Sequence, residues 1–98
     1  MIVIKGRIDW QDGTPPLSAL ANFAQTVRER HSGNLEYQLS VDVGNSKILH
    51  LFEHWKSRGD FDAHLLSPEV AEIGKFLEGK STIVNLSVFD VSDRSELV

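Results

Sequence analysis

Leu35-Glu36-Tyr37-Gln38-Leu39-Ser40-Val41-Asp42-Val43, then Gly44-Asn45-Ser46, then Lys47-Ile48-Leu49-His50-Leu51-Phe52-Glu53-His54-Trp55-Lys56, is the passage that decides the fold. From Leu35 to Val43 apolar and polar residues alternate, the two-residue period of a strand with one buried face. Gly44, Asn45 and Ser46 carry turn chemistry, and Lys47 to Lys56 is the returning strand of a hairpin. Turn length sets which side chains are neighbours. A three-residue turn pairs Val43 with Lys47, sets Tyr37 opposite Glu53 and sets Leu35 opposite Trp55. A two-residue turn would flip one strand and put Leu39 and Val41 beside Phe52 and His50. The three-residue turn is preferred because it joins two apolar faces, on which Glu53 is the lone charge.

Working outward, residues 2–9 read as a strand, with Ile2, Ile4 and Ile8 on one side and Lys5, Arg7 and Asp9 on the other. Asp12 to Pro16 break it. Thr14 is placed to cap a helix with Pro15 at its first position, and Leu17, Leu20, Phe23, Ala24 and Val27 give that helix an apolar stripe to about Arg30. Ser32, Gly33 and Asn34 stop it. His31, at its end, is a cation suited to the helix dipole. After the hairpin, Ser57 and Asp60 resemble a capping box for a short helix carrying Phe61, His64 and Leu65. Ser67-Pro68-Glu69 opens a further segment with Val70, Ile73, Phe76 and Leu77 as its stripe, ended by Gly79. Thr82 to Val91 is the last strand, and Ser92 to Val98 a polar tail. The order βαββαβ, with the second helix broken at Pro68, is the ferredoxin-like plan: an α+β domain, residues 1–98, with a four-stranded antiparallel sheet and the helices on one face.

The covered face is expected to hold Ile2, Ile4, Ile8, Leu35, Tyr37, Leu39, Val41, Leu49, Leu51, Trp55, Val84, Leu86 and Val88. The opposite face would hold Lys5, Arg7, Asp9, Gln38, Ser40, His50, Phe52, His54, Asn85, Ser87 and Phe89. Ile48, Phe52, Ile83 and Phe89 would leave an apolar patch there, of the kind that marks an interface, here with a second copy of the chain.

Composition narrows the function. The chain has 98 residues, 41% hydrophobic and 24% charged, the profile of an ordinary globular domain. A domain of this length hides roughly 60–70% of its unfolded surface, so its core is thin. Ten basic against fourteen acidic residues, a net charge of −4, argue against a nucleic-acid or anionic-membrane partner. With no cysteine, thiolate catalysis, disulfides and iron–sulfur or Cys-based zinc sites are excluded. The apolar runs are too short to span a membrane and the N-terminus lacks a secretory pattern, so a cytoplasmic setting is expected. His50 and His54 resemble a metal pair, but four residues of strand hold them about 13 Å apart.

Glu53 is the most informative residue. A carboxylate alternating with Leu51 and Trp55 on a covered face must find a partner or stay protonated. Tyr37 across the hairpin and His64 from the second helix are the expected donors, with Asp60 a second partner for His64. A His–Glu pair beside a tyrosine and a tryptophan can bind a phenol and move a proton. The same residues can equally form a packed polar knot with no reaction. Trp55 and Phe61 suit an aromatic pocket wall or plain core. Arg7, Asp9, Asn85 and Ser87 form a polar group on neighbouring strands, read first as interface or solvated face and second as ligand contacts.

Gly33-Asn34-Leu35-Glu36-Tyr37, then Glu53-His54-Trp55, then His64 nine residues after Trp55, then Ser67-Pro68, resemble the antibiotic biosynthesis monooxygenase family over nearly the whole chain. That resemblance implies a dimeric α+β barrel in which two such sheets pack face to face. It also implies, for characterised members, oxidation of phenols or quinols by O₂ without metal or flavin. On it, Tyr37, Glu53, Trp55 and His64 carry over as pocket residues, with His64 as base and Glu53 as its partner. Phe61 and Asn85 join them from the face assignment. The expected cofactor set is none, and the expected partners are a second copy and a small aromatic or quinol-like ligand. The chain departs from haem-degrading relatives, having no histidine in Val70–Lys75 and Lys5-Gly6-Arg7 where they place an asparagine. It has Ser67-Pro68-Glu69-Val70 where many quinol-oxidising relatives have Ser-Pro-His-Phe. A non-enzymatic binding or structural module, or a non-oxidative isomerase or lyase, are the alternative readings on this scaffold.

Overall fold

The hairpin pairs Tyr37 with Glu53, Leu39 with Leu51 and Val41 with Leu49, the register of the three-residue turn. The computed structural model describes residues 1–92 and 95–97, so the expected polar tail lies partly outside the described residues. Its elements are β1 (Ile2–Trp10), α1 (Leu17–Arg30), β2 (Asn34–Val41), β3 (Ile48–Trp55), α2 (Arg58–Leu65), α3 (Pro68–Leu77) and β4 (Ser81–Asp90). The strands form one antiparallel sheet in the order β2-β3-β1-β4. This is the ferredoxin-like arrangement that the element order predicts.

One face of the sheet is covered by α1, whose Leu20, Ala24 and Val27 recur at helical spacing and are buried. They pack in two adjoining clusters with Ile2, Ile4, Tyr37, Trp55 and Phe61, and with Ile8 and Leu49. Ile4, Val27, Leu49 and Trp55 are fully enclosed, each contributing roughly 1.5–3 kcal/mol of apolar burial.

Three local expectations are corrected. Thr14 does not cap α1: the N-cap is Pro16, without a side-chain bond, and its carbonyl accepts from the Leu20 N–H at 3.1 Å. A residue that precedes proline is disfavoured from helical geometry, so Pro15 is kept out by Pro16. Leu35 does not face Trp55, because Asn34 does and the ladder shifts before Glu36. The Gly33 carbonyl is bonded to the Lys56 N–H at 2.8 Å, so β2 carries one extra residue before Tyr37 comes into register, and Leu35 is left exposed.

The third correction concerns β4. Its register against β1 slips between Lys5 and Arg7, where Asn85 takes a left-handed φ of 55°. Asparagine tolerates that region better than most residues. The bulge inverts the parity of the strand. Val88 pairs with Ile4 and so shares its face as expected, but beyond the bulge Ile83 pairs with Ile8 and Val84 with Arg7. Ile83 therefore joins Leu86 on the helix side, and Val84 moves to the open face. Gly6 permits this: a Cβ there would stand 2.9 Å from Leu86 Cδ1. The open face keeps Phe52 and Phe89, while His54, placed on it by its pairing with Val3 and Glu36, is buried.

Candidate functional site

The site begins at a glycine. Gly33 leaves α1 at φ 78°, and a Cβ on it would fall 2.2 Å from Asp60 Cγ. Only glycine satisfies both the left-handed turn and the close approach to α2. Four residues on, Tyr37 is buried on the helix-facing side of β2 with Glu53 directly across from it. Glu53 and Trp55, two apart on β3, share that side, and the indole Nε1–H of Trp55 donates to Glu53 Oε1 at 3.0 Å.

Helix α2 brings the remaining groups. Ser57 caps it, accepting from the Asp60 N–H at 3.1 Å, while its hydroxyl donates to the Asp60 carboxylate at 2.9 Å. Asp60 is thus bonded to the cap, not to His64 as the spacing suggested. Phe61 and His64, three residues apart, both point to the sheet and are buried. Ser67 fixes the far end, donating to the His64 carbonyl at 2.7 Å and capping α3 through the Val70 N–H.

His64 lies inside an aromatic box. Ring centroids stand 4.7 Å from Trp55, 5.8 Å from Tyr37, 6.2 Å from Phe61 and 6.4 Å from Phe23. Its Nε2 is 3.7 Å from Glu53 Oε1, and both side chains are almost fully enclosed. On the other side, its Nδ1 is 2.7 Å from Nδ1 of His31, so one ring carries the proton and the other accepts it. His31 Nε2 in turn stands 3.7 Å from Glu69 Oε2.

Burial dominates the electrostatics. It raises Glu53 to about 7 against the opposing Trp55 hydrogen bond. It lowers His64 to about 4, helped by His31 and opposed by Glu69. It also raises the Tyr37 phenol well above its ordinary range, with the Glu53 charge adding to the effect. Desolvation disfavours the charged form of each of these three groups, so Glu53, His64 and Tyr37 are neutral in mildly acidic solution.

A cavity of about 180 Å³ opens beside these groups, lined by Tyr37, Glu53, Phe61 and His64, with Phe23 and Leu86 among its apolar walls. The cluster therefore has open space on one side. Of the residues singled out in the sequence, Tyr37, Glu53, Trp55, Phe61 and His64 come together. Asn85 does not: it is exposed at the β4 bulge and absent from the cavity lining. Arg7 and Asp9 pair with each other at 2.9 Å. Among the described residues, no three His, Asp or Glu side chains converge where a metal ion could be held.

Three participants were missed. Phe23 read as plain stripe, Glu69 as a helix-dipole carboxylate and His31 as a helix-end cation. The available signal was Gly33: the turn that presses it against Asp60 also carries His31, two residues earlier, to the side of α2.

No protein of curated function matches the sequence. Solved structures match closely in fold. A Deinococcus radiodurans protein assigned to the antibiotic biosynthesis monooxygenases is 20% identical over 100% of this chain and 99% of its own, with a TM-score of 0.82. SnoaB, a cofactor-independent oxygenase from Streptomyces nogalater, is 19% identical over 98% of this chain and 95% of its own, at 0.78. A Mycobacterium tuberculosis protein is 21% identical over 97% and 98%, at 0.71. At these identities the likeness speaks for the fold. The sequence itself speaks for the family: the profile of antibiotic biosynthesis monooxygenases matches residues 16–75, more than half of the chain and the stretch that holds His31, Tyr37, Glu53, Trp55, Phe61 and His64, so the chain belongs to that family.

Proposed function

We propose that the chain is a monooxygenase that oxidises a small phenol or quinol with O₂, acting as a cytoplasmic homodimer. The observation that carries this reading is the buried Glu53–His64 pair in the wall of an otherwise apolar cavity. At about 180 Å³ the cavity is below the roughly 300–1,000 Å³ that drug-sized ligands need, so it suits a small ligand. An electron-rich phenol, once deprotonated, gives an electron to O₂ directly. The protein's part is to bind, orient and deprotonate it. The net reaction inserts one oxygen atom into the ring, releases the other as water and leaves a quinone.

In this reading His64 takes the phenolic proton, the Glu53 carboxylate supports it, and Tyr37, Trp55 and Phe61 form the binding wall. The open space beside the pair favours a pocket over the packed-knot alternative. The dimer is supported by the open face of the sheet, where Phe89 of β4 is half exposed and Phe52 of β3 only part-buried, apolar side chains suited to a partner.

Oxygen uptake with a panel of hydroquinones and phenols tests the activity. Substrate-dependent uptake that falls at least about 100-fold in His64→Ala is expected. Uptake that is independent of substrate, or equal in both proteins, rules the activity out.

A further inference from the structure

His64 separates two spaces. On its inner side is the apolar cavity with Glu53. On its outer side is a polar cleft of about 270 Å³ lined by Arg30, His31, Ser32, Asp60, Ala63, His64, Ser67 and Glu69. His31 fills the interval between His64 and Glu69: one ring nitrogen meets His64 Nδ1 at 2.7 Å, and the other faces Glu69 at 3.7 Å. That second nitrogen, Nε2, is buried and has no hydrogen-bond partner, although buried polar atoms normally have one. The Glu69 side chain is one-third exposed, whereas those of His31, His64 and Glu53 are at most 7% exposed.

We propose that His31 and Glu69 are the outer half of a proton path that carries the proton taken by His64 from the cavity to the outer cleft. The proposal rests on the deprotonating role given to His64 above. The bookkeeping closes with the tautomers that the geometry requires. The phenolic O–H gives its proton to His64 Nε2, the Nδ1–H of His64 passes to Nδ1 of His31, and the Nε2–H of His31 passes to the Glu69 carboxylate. No ring holds two protons at the end. Reduction of O₂ to water then consumes a proton at the cavity. Its return along the same path restores both tautomers, so the cycle needs no ring flip and gains or loses no proton overall.

Physical chemistry favours transit over storage. Burial and the neighbouring His31 both oppose a charged His64, so a proton arriving at one nitrogen must leave from the other. The charged and titratable groups facing the pair are Glu53 from β3, Tyr37 from β2, Asp60 from α2, Arg30 from α1 and Glu69 from α3. Glu69 alone of these pairs with His31.

The test uses 4-nitrophenol as a probe of deprotonation in the absence of O₂, read by its absorbance after a rapid pH jump. His31→Gln keeps a hydrogen-bonding side chain but cannot pass a proton through it, and is expected to slow deprotonation of the bound probe at least tenfold with its affinity unchanged. Glu69→Gln, at a part-exposed position that tolerates change, is expected to slow it severalfold. Added imidazole restores part of the rate in His31→Ala. Wild-type rates in both Gln variants overturn the path whether or not the protein oxidises phenols. Fast, His31-dependent deprotonation without oxygen uptake from any phenol supports the path and removes the oxidative reading. If the probe does not bind, nitrogen-15 spectra of the histidines decide: a Glu69→Gln shift transmitted to His64 supports the path, and an unmoved His64 overturns it.

Discussion

Trp55 and Glu53 stand two residues apart on one side of β3, and the indole N–H of the first holds a carboxylate oxygen of the second at 3.0 Å. The bond fixes where the carboxylate points without neutralising it. Burial then leaves Glu53 titrating at about 7, where a small change in pH switches its charge.

Activity is expected to follow that switch. In the proposed mechanism an ionised Glu53, 3.7 Å from His64 Nε2, favours a proton received there, so turnover is expected to rise with pH through about 7. Glu53→Gln lowers kcat and removes this limb of the profile. A pH–rate curve that keeps the limb in the variant assigns it to another group.

Stability gives an independent readout with opposite signs for the two partners. Glu53 has a raised folded pKa, so its contribution is full below 4.5 and is lost as pH rises through about 7. His64 has a depressed folded pKa, so its contribution is present above 6.5 and is lost as pH falls through about 4. Between 4.5 and 6.5 the slopes oppose, and the wild type is nearly flat there. Glu53→Gln exposes the His64 slope, stability climbing from pH 4 to 6.5. His64→Asn exposes the Glu53 slope, stability falling from pH 4.5 to 7. Each change amounts to roughly 3 kcal/mol in all, because a tenfold difference in proton affinity is worth about 1.4 kcal/mol. Urea midpoints across this range check both directions.

Gly33→Ala is expected to destabilise the fold by about 2–4 kcal/mol. It adds a left-handed backbone penalty of about 1–2 kcal/mol to overpacking against Asp60. In a chain of this size that lowers Tm by at least about 8 °C. Asp60→Ala in the same background removes the collision with the carboxylate and should recover part of the loss. A thermal double-mutant cycle with no coupling would place the strain elsewhere.

The open face of the sheet predicts a sedimenting mass of twice 11.0 kDa at micromolar concentration. Phe89, half exposed on the open face and paired with Val3, is outside the cavity lining. Phe89→Asp should shift the species toward 11.0 kDa with the far-ultraviolet circular dichroism unchanged. A wild-type monomer contradicts the dimer.

How much was legible in the sequence depended on whether the signal was periodic. Tyr37 opposite Glu53 followed from strict alternation and a turn of fixed length, because parity then leaves one solution. His64 and Phe61 followed from a capped helix with a three-residue spacing. Ile83 did not, since one residue in the left-handed region inverts the parity downstream and no alternation rule contains it. Asn85 was the available clue, because asparagine tolerates that conformation, but it read as a polar face residue. His31 was hidden for a different reason: it meets His64 across 33 positions of chain, and helix ends commonly carry cations that touch nothing.

In the proposed reading, the β4 bulge also separates the two tasks of the pocket. Glu53 and Trp55 are anchored by the unbroken β1–β3 ladder, Tyr37 by its pairing with Glu53 beyond the β2 shift, and His64 by a capped helix. Ile83 and Leu86 come from a strand whose parity hangs on Asn85 and whose room comes from Gly6. Ligand selectivity can therefore be retuned along one edge strand, by exchanging a side chain or deleting the extra residue, while the proton-handling groups keep their places.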